Sequence, residues 1–165
     1  MEKSIIIING TGGAGKDTFV NFCSEIEKVM NVSTVDKVKE AAKILVGWNG
    51  EKDDVSRKLL VNLKRLSIDY NDAPTKYVVE MAEEFKKGEK KIMFIHAREA
   101  EEIEKAKKLL NAKTLLITNP RVKLITSNDS DGRVNEYKYD YYIENDGTLE
   151  ELKNKASKFV KELYK

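Results

Sequence analysis

The chain has 165 residues, of which 41% are hydrophobic and 35% are charged, as expected of one soluble globular domain with a substantial core. Its 30 basic and 28 acidic side chains leave a net charge of +2, which gives no general electrostatic reason to bind nucleic acid or a membrane surface. A single cysteine, Cys23, and a single histidine exclude an internal disulfide and a metal site built from several such ligands. The apolar runs are too short for a signal peptide or a membrane span, so we expect a cytoplasmic protein with one domain over residues 1–165.

The first part of the chain predicts two strands and two helices. Ser4–Ile8 is apolar and β-branched without alternation, which is typical of a strand buried on both faces of a parallel sheet. A helix is predicted from about residue 15 to residue 30, a short strand at 32–35, and a helix from Asp36 to about Trp48. The residues expected to face inward on the first helix are Phe19, Phe22, Cys23, Ile26 and Met30. Those on the second helix are Val38, Ala41, Ala42 and Leu45.

Two further helices are predicted in the middle of the chain. One covers about residues 54–70 and the next starts near Pro74, a residue favoured in a first helical turn. The apolar stripe of the earlier helix is Val55, Leu59, Leu63, Leu66 and Tyr70. That of the later one is Val78, Met81, Ala82 and Phe85.

Strands and helices continue to alternate towards the end of the chain. The strands are predicted at residues 91–96, 114–118 and 139–143, with a helix at 99–110 and a polar, irregular stretch at 120–138. A capping box from Thr148 to Glu151 opens the last helix, whose inward residues are Leu152, Ala156, Phe159, Val160 and Leu163. The alternation predicts an α/β fold with a mostly parallel sheet.

A glycine-rich loop follows the first strand. Gly10 to Lys16 fits the pattern G-x-x-x-x-G-K of a phosphate-binding P-loop, the Walker A motif, and it lies between a predicted strand and a predicted helix. Glycines let backbone N–H groups surround a phosphate, the helix start adds a positive dipole end, and the lysine reaches the terminal phosphates. The predicted nucleotide-binding residues of the loop are Gly10, Gly12, Gly13, Ala14, Gly15, Lys16, Asp17 and Thr18.

Asp17 departs from the usual loop, in which serine or threonine at that position ligates magnesium. A carboxylate is also a hard oxygen ligand, so Asp17 and Thr18 are predicted to hold Mg²⁺. An acid in the first turn of a helix is also favoured by the helix dipole alone, which is the alternative interpretation.

The loop with its Gly-Lys-Asp-Thr ending resembles that of phage-type deoxynucleoside monophosphate kinases, within the wider nucleoside monophosphate kinase group. Three other segments resemble that family in the same order. The first is Asp36–Trp48, after the second strand. The second is Ile95–Glu99, which resembles the family's Asp-x-Arg element after the third strand. The third is Tyr142–Leu152, which contains the Asn-Asp-Gly turn before the last helix. Phosphomevalonate kinases of the animal type share the Gly-Lys-Asp sequence, so the loop alone does not separate these kinases.

The resemblance implies a three-layer P-loop fold with a five-stranded parallel sheet, helices on both faces, an acceptor-side helical segment at about 36–87 and a short lid at about 120–138. It implies that ATP and Mg²⁺ are bound, with Asp146 and Gly147 beside the nucleotide. In the lid, Arg121 is expected to contact the donor or the moving phosphoryl group, and Lys123 and Arg133 lie in the same stretch.

The resemblance also implies the acceptor side. Arg98, just beyond the third long strand, is expected to grip an acceptor phosphate, with Lys39 as a weaker candidate. One of Arg57 and Arg65 is expected in the site, and Arg57 is the one we select. His96 stands where the family has an aspartate, and a neutral imidazole is a poor magnesium ligand.

The expected function is therefore transfer of the γ-phosphoryl group of ATP to a small phosphorylated acceptor, with a nucleoside or deoxynucleoside monophosphate as the first candidate. The residues expected to carry the transfer are Lys16, Asp17, Arg98 and Arg121. The alternatives are a kinase for phosphomevalonate or dephospho-coenzyme A, and a nucleotide-binding protein with little turnover. The expected partner is a small molecule, and the sequence leaves monomer and homodimer open.

Overall fold

A computed structural model describes residues 2–122 and 136–165, which contain a five-stranded sheet and six helices. The strands are β1 (Ser4–Asn9), β2 (Val29–Ser33), β3 (Ile92–His96), β4 (Lys113–Thr118) and β5 (Tyr141–Glu144). The helices are α1 (Lys16–Ser24), α2 (Asp36–Val46), α3 (Asp54–Asn71), α4 (Ala73–Lys87), α5 (Ala100–Leu110) and α6 (Leu149–Glu162). All strand pairs are parallel and the order is β2-β3-β1-β4-β5, so the strand before the glycine-rich loop is central.

Helices cover both faces of the sheet. On one face α1 and α6 pack on the strands around Phe19, Phe94 and Phe159, and the ring centroids of Phe19 and Phe159 are 5.6 Å apart. On the other face α4 and α5 pack against Met93 and Ile95. The predicted three-layer α/β architecture is confirmed.

The end of the chain agrees with the sequence pattern. Thr148 Oγ1 accepts a hydrogen bond from the Glu151 N–H (3.2 Å), and Glu151 Oε2 accepts one from the Thr148 N–H (2.9 Å). This reciprocal capping box opens α6 as predicted, because both partners lie within one turn of the helix start. The predicted inward residues of α6 are buried or partly buried in the core.

The first boundary between helix and strand was predicted wrongly. We expected a helix to residue 30 and a strand at 32–35, but α1 ends at Ser24 and β2 begins at Val29. Val29 pairs with Ile92, so Met30 belongs to the sheet, and Ile26 is 44% exposed. Parallel pairing with β3 places Val29 and Met30 in the sheet, although the helical pattern had included both.

The predicted inward stripe of α3 is wrong for three of its five residues, although the helix itself is confirmed. Val55, Leu66 and Tyr70 are 79%, 65% and 88% exposed, whereas Lys64 is buried. Lys64 Nζ lies 2.8 Å from Glu102 Oε2 of α5, and this ion pair turns a charged face of α3 inward. On α2, Val38 and Ala42 are buried as expected, but Leu45 is exposed.

The predicted lid falls largely outside the described residues. Residues 123–135, with Lys123 and Arg133, lie beyond them, whereas Arg121 is described. Among the described residues, no helix combines the length and apolar character that crossing a membrane requires.

Candidate active site

The glycine-rich loop lies at the carboxyl end of central strand β1 and leads into α1. At Gly15 the backbone is left-handed (φ 101°), and a Cβ there would lie 2.6 Å from Asn145 Nδ2. At Gly10 a Cβ would lie 2.4 Å from the Ile117 carbonyl oxygen. The loop therefore approaches β4 and the β5–α6 turn so closely that side chains at these two positions would collide with them.

Lys16 extends over this loop. Its Nζ donates a hydrogen bond to the Gly10 carbonyl oxygen (2.5 Å). Burial, together with the nearby charges of Arg98 and Lys52, lowers the pKa of Lys16 to about 8, while Asp17 opposes the shift. An ammonium group in this environment is stabilised by an added anion.

Asp17 and Thr18 occupy the first turn of α1, with Asp17 exposed and Thr18 half-buried. Among residues 2–122 and 136–165, no group of three or more His, Cys, Asp or Glu side chains gathers into a metal site. Mg²⁺ commonly uses one or two carboxylates and completes its shell with phosphate oxygens and water. The single exposed carboxylate of Asp17 beside the loop is compatible with Mg²⁺ shared with phosphate oxygens and water. It is not compatible with a metal site made of protein ligands alone.

His96 ends β3 next to the loop. Its Nε2 lies 2.9 Å from Asn31 Oδ1 on β2. Burial lowers the pKa of His96 to about 4, with smaller and opposing contributions from surrounding charges that include Asp17 and Lys16. The imidazole is therefore neutral near pH 7.

Arg98 lies two residues further along, beyond the carboxyl end of the strand. Partial removal from water and the charge of Arg57 lower the pKa of the Arg98 guanidinium. Arg57 itself pairs with Asp54 (3.2 Å) at the start of α3. Of the two arginines proposed for the acceptor side, Arg57 is thus the one whose charge acts on Arg98, while Arg65 is exposed further along α3.

The comparisons with known proteins concern the fold. No protein-family sequence model matches the chain, and no curated protein has a significantly similar sequence. Among solved structures, the TT1252 protein of Thermus thermophilus shares 20% identity with a TM-score of 0.56, and the match covers 99% of both chains. A sugar kinase from Janibacter shares 12% identity with a TM-score of 0.54, over 98% of this chain and 95% of that one. Shikimate kinase from Aquifex aeolicus shares 13% identity with a TM-score of 0.51, over 96% of each chain.

These likenesses show the fold, a three-layer P-loop NTPase fold with a five-stranded parallel sheet. In open parallel α/β sheets ligands bind at the carboxyl ends of the strands, and a helix N-terminus presents backbone N–H groups that can bind anions. Lys16, His96 and Arg98 all lie at this edge of the sheet.

The structure places the remaining predicted residues differently. Arg121 Nη2 donates a hydrogen bond to the Gly147 carbonyl oxygen (2.9 Å), so these two predicted residues meet. The Asp146 carboxylate lies 2.8 Å from Lys155 Nζ, and this hydrogen bond lowers the pKa of Asp146. Lys39 is exposed on α2, and among the described residues its side chain makes no hydrogen bond or ion pair with the loop.

Two asparagines beside the glycine-rich loop were not predicted as site residues. Asn145 Nδ2 donates to the Ala14 carbonyl oxygen (3.0 Å) and so supports the loop from the β5–α6 turn. Asn9 is fully buried and accepts a hydrogen bond from the Gly10 N–H through Oδ1 (2.8 Å). The signal for Asn9 was present in the sequence, since a carboxamide directly follows four isoleucines and precedes the first glycine of the loop.

Proposed function

We propose that the protein transfers the γ-phosphoryl group of ATP to a small phosphorylated acceptor, with a nucleoside or deoxynucleoside monophosphate as the first candidate. The supporting observation is the concentration of positive charge at one edge of the sheet. Lys16 is half-buried beside Arg98, and Arg57 acts on Arg98 in turn. Two phosphorylated ligands brought together would neutralise these cations.

In this proposal the loop and Lys16 hold the donor phosphates. Asp17 and Thr18 face the metal, and Mg²⁺, when bound, neutralises charge on the phosphate oxygens. Arg98 holds the acceptor phosphate, assisted by Arg57, while Lys39 is kept as a weaker candidate.

The nucleotide side of the proposal includes Arg121, Asp146 and Gly147. Arg121 is held to the Gly147 carbonyl oxygen and so lies at the β5–α6 turn beside the loop. Catalysis at such a site is mostly positioning and charge neutralisation, so these side chains need no covalent chemistry.

The test is a panel of acceptors incubated with the protein, ATP and Mg²⁺, with ADP release measured by a coupled assay. The panel contains ribo- and deoxyribonucleoside monophosphates, phosphomevalonate and dephospho-coenzyme A, with shikimate and a simple sugar as acceptors that lack phosphate. We expect acceptor-dependent ADP release with at least one nucleoside monophosphate and little release without acceptor. Turnover confined to the unphosphorylated acceptors would contradict the proposal.

A second candidate is a nucleotide-binding protein with little turnover. It is favoured by His96, a neutral imidazole at the position where the kinases that the sequence resembles have an aspartate. Calorimetric binding of ATP and Mg²⁺ without transfer to any member of the panel would support this candidate over the kinase.

A further inference from the structure

Asn9 makes an unusual set of contacts for a residue at the end of a central strand. Its side chain is fully buried, and its carboxamide takes part in three hydrogen bonds. Oδ1 accepts from the Gly10 N–H (2.8 Å), while Nδ2 donates to the Arg98 carbonyl oxygen (3.1 Å) and to the Tyr139 hydroxyl (2.9 Å). One amide group therefore joins three separate segments of the chain.

These three segments have different places in the proposed reaction. Gly10 begins the phosphate loop, and its carbonyl oxygen accepts the hydrogen bond from Lys16 Nζ. Arg98 carries the guanidinium proposed for the acceptor phosphate. Tyr139 belongs to the segment just before β5. The Asn9 side chain thus connects Gly10, which accepts the hydrogen bond from Lys16, to the backbone of Arg98.

Burying a carboxamide lowers the stability of the fold unless its donors and its acceptor form hydrogen bonds. In Asn9 both the oxygen and the nitrogen of the carboxamide do so. The four preceding strand residues are isoleucines, so Asn9 is a buried polar group at the end of an apolar strand. The carboxamide holds two backbone segments at a defined separation. In phosphoryl transfer the distance between donor and acceptor largely determines the rate, and small displacements of the bound groups lower it strongly.

We propose that Asn9 is a positioning residue that fixes Arg98, and through it the acceptor phosphate, relative to the phosphate loop. This inference rests on the proposed function, because it assigns Asn9 a part in the same phosphoryl transfer. It predicts that loss of the carboxamide reduces transfer much more than it reduces ATP binding, since the loop glycines and Lys16 remain.

The test compares Asn9→Ala with Thr114→Val as a matched control. Thr114 is equally buried on a neighbouring strand, and its hydroxyl bonds to Asp140, next to Tyr139, without touching the loop or Arg98. We expect Asn9→Ala to lower kcat/KM for the acceptor by about 10- to 100-fold. The Kd for ATP is expected to stay within about threefold, and Thr114→Val should alter neither constant beyond about twofold.

If Asn9→Ala does not fold, Asn9→Asp replaces it. The aspartate keeps an acceptor for the Gly10 N–H but presents oxygen to the Arg98 carbonyl, so the same loss of kcat/KM is expected. If either Asn9 variant has the same acceptor kcat/KM as Thr114→Val, the inference is overturned.

A second measurement separates this inference from the proposed function. Amide hydrogen exchange at Gly10 and at residues 97–99 should be faster in Asn9→Ala than in Thr114→Val at equal overall stability. A wild-type protein without transferase activity would refute the proposed function alone. Unchanged exchange at these amides would refute the positioning role whether or not the protein is active.

Discussion

At the scale of single residues, the candidate site is defined by two partly buried cations, Lys16 and Arg98, that lie close to one another. The pKa of Lys16 lies well below that of a free lysine because the side chain is partly buried and Arg98 is close. The pKa of His96 is also low, so the imidazole adds no positive charge near pH 7. The site therefore favours anions through Lys16 and Arg98, and three predictions follow from its individual side chains.

The first concerns proton uptake by Lys16. In the free protein its pKa is about 8, and phosphates bound at Nζ would raise that pKa, because an adjacent anion favours the ammonium form. At about pH 8 ATP binding should therefore take up about half a proton, and at about pH 6.5 almost none from this group. Calorimetry in buffers of different ionisation enthalpy measures the uptake.

The control for this prediction is Lys16→Ala. It should abolish the uptake and weaken ATP binding by about 10- to 100-fold, the usual range for a lost charge-assisted hydrogen bond. Lys43→Ala, which removes an exposed lysine on α2, should leave both unchanged. Wild-type binding without proton uptake at the higher pH would show that Lys16 does not meet the phosphates.

The second concerns Arg98. Arg98→Ala should raise the acceptor KM by about 10- to 100-fold and leave the Kd for ATP within about threefold, because the guanidinium is assigned to the acceptor phosphate. Arg65→Ala removes the same group from an exposed position on α3 and serves as the control. Steady-state kinetics with the best acceptor of the panel measure the acceptor KM of both variants. Equal KM values would show that Arg98 does not bind the acceptor.

The third prediction concerns His96 at the end of β3, where the kinases that the sequence resembles have an aspartate. His96→Asp should increase kcat and lower the Mg²⁺ concentration needed for half-maximal rate, because Mg²⁺ prefers carboxylate oxygen to a neutral imidazole. His96→Asn is the uncharged control and should show no increase. A decrease in kcat with the aspartate would give the imidazole a function of its own.

At the scale of secondary-structure elements, the link from β1 to α1 depends on local conformation and on neighbours distant in sequence. The glycine spacing of the loop could be predicted from the sequence, because the pattern lies within a few residues. The steric need for glycine at position 15 could not be predicted from the sequence, because the side chain that a Cβ there would meet is Asn145, far along the chain. The end of α1 was missed because pairing with β3 decided it.

Gly15 and Gly50 form a natural pair for testing this link. Both have left-handed backbones, with φ of 101° and 95°, but a Cβ at Gly50 would meet no atom within 4 Å. Gly50→Ala should cost about 1 kcal/mol of unfolding free energy from backbone strain alone. Gly15→Ala should cost more and also weaken ATP binding, because Asn145 must shift from the loop. Urea unfolding and calorimetry measure the two effects, and equal losses for the two variants would contradict the role of Asn145.

At the scale of the whole molecule, α3 is joined to the body of the protein by a buried ion pair. The side chains of Lys64 and Glu102 are only 9% and 8% exposed. Glu102 Oε2 also accepts a long hydrogen bond from the Arg98 N–H (3.4 Å), so this pair links α3 to the segment carrying Arg98. The other carboxylate oxygen of Glu102 is buried without a hydrogen-bond partner among the described residues.

Breaking this pair should destabilise the fold. Glu102→Gln leaves the buried Lys64 charge uncompensated and should lower the unfolding free energy by about 3–5 kcal/mol. Glu83→Gln breaks an exposed pair with Lys86 one helical turn away and should change stability little. Chemical denaturation of both variants tests this, and similar midpoints would mean that Lys64 finds other compensation.

The sequence by itself determined what depends on near neighbours. The apolar run of Ser4–Ile8 predicted a strand buried in a parallel sheet, the spacing of glycines before Lys16 predicted a loop between that strand and a helix, and the capping box predicted the start of α6. Each is a pattern whose physical cause lies within one turn or one strand, so it can be read without the partner segments.

Only the tertiary structure decided which faces and side chains come together. The inward face of α3 depends on Glu102, which lies on another helix. The proximity of Arg57 to Arg98 and the three contacts of Asn9 likewise join segments far apart in sequence. The free energy of a buried charge or amide depends on whether distant groups satisfy it, and the local sequence does not contain those groups.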